Sequence, residues 1–200
     1  MKLLRKSPEN EMLIEFLRAE YSSERFNEQI KAKLNELGYD ERIILSADIC
    51  SSAENNQRKS LMGEFRGYAL NRDLFERFPP VIDWSVCSFG YDDLEKIRYI
   101  DYSYWNELSD GTHSPLTAAK AILGGKTVYD ESNDGFLRAA EFIRGGGKFP
   151  KMFFLTGDYE SFVIVEGHLR MTAYALAPDY FNDIEVIVGE CRAQELRKWM

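Results

Sequence analysis

The pair Pro79-Pro80 separates two different hydrophobic periods, and this change constrains the fold more than any other feature of the chain. Before it, apolar residues recur every three or four positions, as on one face of a helix. After it, they come in short runs separated by glycines. The pattern predicts a helical region over residues 1–79 and an α+β region over residues 80–200. A length of 200 residues suits one domain with a helical extension.

In the first region Ser7 stands where a helix cap would, with Pro8 at the first helical position. Met12, Leu13, Phe16 and Leu17 then form one apolar stripe. A second helix is expected from Ser23, carrying Phe26, Ile30, Leu34 and Leu37 and stopping at Gly38. Residues 43–45 read as a strand or a helix start. A third helix is expected at about 54–70, with Leu61, Met62, Phe65 and Tyr68 inward.

In the second region Ile82, Trp84 and Val86 alternate as in a half-buried strand, and residues 97–102 are a second candidate. Helices are expected at 116–123 and 135–144, each stopped by glycines. Strands are expected at 152–155, 162–165 and 184–188, with Gly157-Asp158 as a hairpin turn and a helix at 168–176.

The segment richest in chemical meaning runs from Phe162 to Leu176, where a buried strand feeds through Gly167 into a helix. Such a junction aims the first amides of the helix and the positive end of its dipole at one spot, an anion pocket. Arg170, one turn in, can reach a phosphate with two parallel donors, and His168 adds a donor at the rim. Arg170 can instead pair with Glu166, with Leu169, Ala173 and Leu176 as plain core positions.

A polar stretch from Trp105 to Pro115 holds Asp110, Thr112 and His113; it reads as a loop able to close that site or as an Asp-Gly turn before a capped helix. Lys148, after three glycines, faces phosphate or merely follows a helix stop. It is not the Gly-Lys-Ser/Thr of a Walker loop. Tyr99, Tyr102 and Tyr104 alternate as sheet aromatics do.

The net charge of −8 argues against a protein that wraps duplex DNA. Between residues 145 and 175, Lys148, Lys151 and Arg170 are balanced by Asp158, Glu160 and Glu166, so no basic stripe marks the junction. Three cysteines in no metal-binding spacing and two histidines encode neither a disulfide framework nor a zinc site. No apolar run approaches a membrane span or a signal peptide, and the cytoplasm is the expected location.

The run from Phe136 to Val188 resembles the ParB/sulfiredoxin superfamily. Its residues are Phe136-Leu137-Arg138-Ala139-Ala140-Glu141-Phe142-Ile143, Gly147-Lys148-Phe149-Pro150, Met152-Phe153-Phe154-Leu155 and Val165-Glu166-Gly167-His168-Leu169-Arg170. The resemblance implies a small mixed sheet with flanking helices in which the Gly-x-x-Arg loop cradles the phosphates of ATP or CTP with Mg²⁺. His168 stands where sulfiredoxins carry their reactive cysteine. Glu166-Gly167-His168-Leu169-Arg170 is nearest the Asp-Gly-His-His-Arg of the free-serine kinases, with Leu169 replacing the second histidine. The reading is a nucleotide-binding protein, either a phosphotransferase or hydrolase, or a nucleotide-sensing or protein-interaction module without chemistry. Under the first, Glu166, His168 and Asp110 are the catalytic candidates. Gly167, His168, Arg170, Thr112, His113 and Lys148 are the nucleotide-binding candidates in both. No specific duplex DNA is expected as a partner, and the N-terminal helices offer a surface for a protein.

Overall fold

The structure is a computed structural model that describes residues 1–199. The chain forms two compact units, one of residues 7–79 and one of residues 1–6 together with the chain from Pro80 onward.

The unit of residues 7–79 is helical: α1 (Glu9–Tyr21), α2 (Asn27–Leu37), α3 (Arg42–Leu45) and α4 (Ser52–Arg66), followed by a 3-10 turn at Asp73–Phe75. Its core is the stripe read from sequence, Met12, Leu13, Phe16 and Leu17 of α1, joined by Ile30, Leu34, Ile43, Ile44, Leu61 and Met62. Several boundaries differ. Pro8 caps α1 from outside rather than opening it, and the Ser7 hydroxyl donates to Glu11 (2.8 Å) instead of capping. The turn after Ser23 delays α2 to Asn27, leaving Phe26 at its cap. The third helix stops at Gly67, four residues short of the expected end: a Cβ there would lie 1.9 Å from the Arg72 carbonyl oxygen, and its φ is +86°. Tyr68 thus packs from beyond the helix, edge-on to Phe75 at 4.9 Å.

The second unit carries a six-stranded sheet in the order β1-β2-β6-β4-β5-β3, with β1 at Lys2–Ser7, β2 at Val81–Phe89, β3 at Ile97–Arg98, β4 at Met152–Thr156, β5 at Phe162–Glu166 and β6 at Ile184–Cys191. The sheet is mixed: β2 and β5 run antiparallel to β6 and β4, whereas β4 with β6 and β3 with β5 are parallel. Helices α5 (Ser103–Leu108), α6 (Pro115–Leu123), α7 (Asp134–Arg144), α8 (His168–Leu176) and α9 (Ala193–Trp199) complete an α+β architecture. Strands β4 and β5 are buried along nearly their whole length, which accounts for their unbroken apolar runs. Phe89 fills the space between Phe154 and Phe162, at 5.2 and 4.8 Å.

Three expectations are corrected in this unit. Trp84 to Cys87 are buried in succession, so β2 is covered on both faces there rather than alternating, and Ile82 sits exposed at a register shift between Val81 and Asp83. The strand expected at 97–102 ends at Arg98, because the Tyr99 amide donates to the His113 carbonyl (2.8 Å) and takes the chain out of the ladder. Tyr102 and Tyr104 are therefore not sheet aromatics: Tyr102 caps α5 and Tyr104 lies within it. Among the described residues no helix is long and apolar enough to cross a membrane.

Cys87 and Cys191 are buried in the sheet, and Cys50 is exposed. Burial pushes the Cys87 thiol up, and burial with the Glu190 charge pushes Cys191 from 9.0 to about 11. The unfolded chain ionises first, so this thiol's contribution to stability falls as pH rises from 9.0 towards 11. At about pH 8 a disulfide-exchange reagent titrates Cys50 alone in the folded chain and all three thiols in denaturant. A second fast thiol in the folded chain would contradict this packing.

Candidate functional site

Strand β5 ends at Glu166, and Gly167 turns the chain directly into α8 with φ +102° and no side-chain cap. A Cβ at this position would meet Met152 Cγ at 2.6 Å, so the glycine is required by its neighbour on β4 as well as by its dihedral angle. The Met171 amide donates to the Gly167 carbonyl (2.8 Å), closing the first turn of α8. The strand-glycine-helix junction read from the sequence is present, and the positive end of the helix dipole lies at it.

The Arg170 guanidinium turns inward. It donates through one nitrogen to the carbonyls of Pro150 (2.7 Å) and Lys151 (3.0 Å), and through the other to the Glu166 carboxylate. Arg170 is buried, and these bonds tie α8 to the chain entering β4. Of the two roles open to it, the ion pair with Glu166 is the one formed. Glu166 is correspondingly engaged through one carboxylate oxygen. Leu169 is 44 % exposed, a correction to its placement in the core.

His168 opens α8 and is half-buried under aromatics. Its ring lies nearly parallel to Trp105 (5.2 Å, 15°) and Tyr99 (6.0 Å, 16°), and these two stack on each other at 4.6 Å. The Tyr99 hydroxyl shares a 2.6 Å hydrogen bond with Thr172, whose hydroxyl donates to the His168 carbonyl (2.8 Å). Burial pushes the Tyr99 hydroxyl well above its ordinary range, so it stays protonated and is not a general base at neutral pH.

The polar stretch after Trp105 is not wholly a loop, since Ser103–Leu108 is helical. Beyond it, Asp110 pairs with Lys126 (2.7 Å), which also donates to the Glu107 carbonyl. The Thr112 hydroxyl donates to the Ser109 carbonyl (2.7 Å), and the His113 amide donates to the Ser109 hydroxyl (3.1 Å). Through Tyr99 the His113 backbone thus connects to the start of α8. The Thr112 hydroxyl, in contrast, serves its own loop, and Asp110 ties that loop to Lys126 beyond α6. Lys148 is exposed in the segment between α7 and β4, two residues before the Pro150 carbonyl that anchors Arg170.

The structure accordingly gathers Gly167, His168, Tyr99, Trp105 and Thr172 at one junction and spends Glu166 and Arg170 on each other. Sequence reading missed Trp105 as a ring on His168, and it missed Tyr99. The Thr172 hydroxyl was findable, because it lies four residues after His168, the spacing of a helical back-bond. No group of three or more His, Cys, Asp or Glu side chains placed to hold a metal ion occurs among the described residues. The arrangement is suited to holding an anion at a helix start beside an aromatic wall. Both candidate carboxylates are paired with cations, Asp110 with Lys126 and Glu166 with Arg170.

No protein-family model, curated protein or solved structure matches the chain.

Proposed function

We propose that the region from Pro80 onward is a ParB/sulfiredoxin-like module that binds the phosphates of a nucleotide, ATP or CTP with Mg²⁺, and acts as a cytoplasmic nucleotide-sensing or protein-interaction element. The observation that carries this reading is the Gly167 junction, a left-handed glycine that opens α8 directly from a buried strand without a side-chain cap. The half-buried His168, the first residue of α8, lies beside it. Magnesium would arrive on the phosphates and spread their charge, with Glu166 remaining in its ion pair. The engagement of Glu166 by Arg170 and of Asp110 by Lys126 favours binding over phosphoryl transfer, which needs a base at the acceptor.

Calorimetric titration with ATP, CTP and inorganic tripolyphosphate in Mg²⁺ tests the reading, alongside an assay for released phosphate. Saturable binding of all three ligands without turnover is expected. Absence of binding by any of them would remove the phosphate site, and sustained turnover would establish the phosphotransferase or hydrolase reading in place of the binding module.

A further inference from the structure

We propose that Tyr129 and Tyr104 form the stacking platform for the base of the nucleotide, an inference that rests on the phosphate reading above. Tyr129 and Asp130 are the two central residues of a tight turn closed by the Glu131 amide on the Val128 carbonyl (3.0 Å), with φ +53° and +59°. Turns of this hand favour Gly, Asn or Asp at both positions. A tyrosine held there carries its ring into solvent, and Tyr129 is 64 % exposed.

The ring does not stand alone. Tyr104 lies 6.5 Å from it and is tilted by 49°; Trp105 meets Tyr104 edge-on at 4.9 Å; and Trp105 lies nearly parallel to His168 at 5.2 Å. Aromatic surface therefore runs without a break from the turn to the first residue of α8. Every base presents a flat π-face, and exposed aromatic rings take it with little regard to sequence.

Charge sets the direction. Asp130 and Glu131 lie in the turn and Asp134 in the first turn of α7, and Glu131 helps burial push the Tyr104 hydroxyl up. Carboxylates at the tyrosine end repel phosphates, whereas the positive end of α8 attracts them. The base consequently lies on the tyrosines and the phosphates lie at Gly167.

The test compares ATP and CTP with tripolyphosphate, which has no base, by calorimetry on the full chain. Tyr129→Ala should weaken ATP and CTP about tenfold, within the range for one base–aromatic stack, and leave tripolyphosphate unchanged. Tyr129→Phe, which keeps the ring, should bind all three as the unaltered chain does. If ATP and CTP bind equally well to Tyr129→Ala and Tyr104→Ala, the base lies elsewhere and the platform is refuted with the phosphate site intact. Equal weakening of tripolyphosphate would also refute it, by making the tyrosines a support of the junction. Failure of the unaltered chain to bind tripolyphosphate would instead remove the phosphate reading, and the platform with it.

Discussion

Arg58→Met destabilises the helical unit of residues 7–79 by about 3 to 5 kcal/mol, the cost of leaving the partners of a buried charge without it. Arg58 has no solvent exposure. Its guanidinium donates to the carbonyls of Ile43 and Asp48 (2.8 Å each), to the Glu54 carboxylate (3.0 Å) and to the Asn55 amide oxygen. These bonds fasten the α3 end and the loop after it onto α4, whose start is also capped by Ser51. Methionine keeps the volume of the stem and removes every donor, so the loss measures polar satisfaction rather than a cavity. Urea unfolding followed by circular dichroism reads the shift. Tryptophan fluorescence serves as the control, because Trp84, Trp105 and Trp199 all lie outside this unit. An unchanged dichroism midpoint would mean that water satisfies the four acceptors.

Gly167→Ala costs about 2 to 4 kcal/mol, from roughly 1 to 2 for an L-residue in left-handed backbone and the rest from overpacking. The neighbour responsible for the second part is Met152, whose Cγ would lie 2.6 Å from the new Cβ. Met152→Ala removes that collision. The double variant should therefore lose less stability than the two single losses added together, the coupling expected for residues in contact. Strict additivity would show that the cost of Gly167→Ala is all backbone.

How far these features could be read beforehand depended on whether their causes are local. The stripe of α1, the buried runs of β4, β5 and β6 and the glycine-led α8 are written in periods of a few residues, and the structure has them close to the expected positions. Strand β1 left no such trace: Lys2 to Lys6 are all exposed, so no face is buried and no alternation arises. Helix α5 spans six residues, too few to show a period. At the junction, the four-residue spacing of Glu166 and Arg170 fitted a phosphate clamp and an ion pair equally. What separates them is a pair of carbonyls about twenty positions earlier in the chain, at Pro150 and Lys151. The ring of Trp105 on His168 joins residues still more remote in sequence. Leu169 was placed in the core together with Ala173 and Leu176, yet it alone of the three is exposed, although Arg170 and Met171 beside it are buried.

The central claim, that the start of α8 receives phosphate, is tested most directly by backbone amide NMR during titration with tripolyphosphate. The account predicts saturable shifts of the His168, Leu169 and Arg170 amides with one common dissociation constant, and little change at Asp110, Thr112 or Arg58. Shifts confined to other residues, or none at saturating ligand, would contradict it.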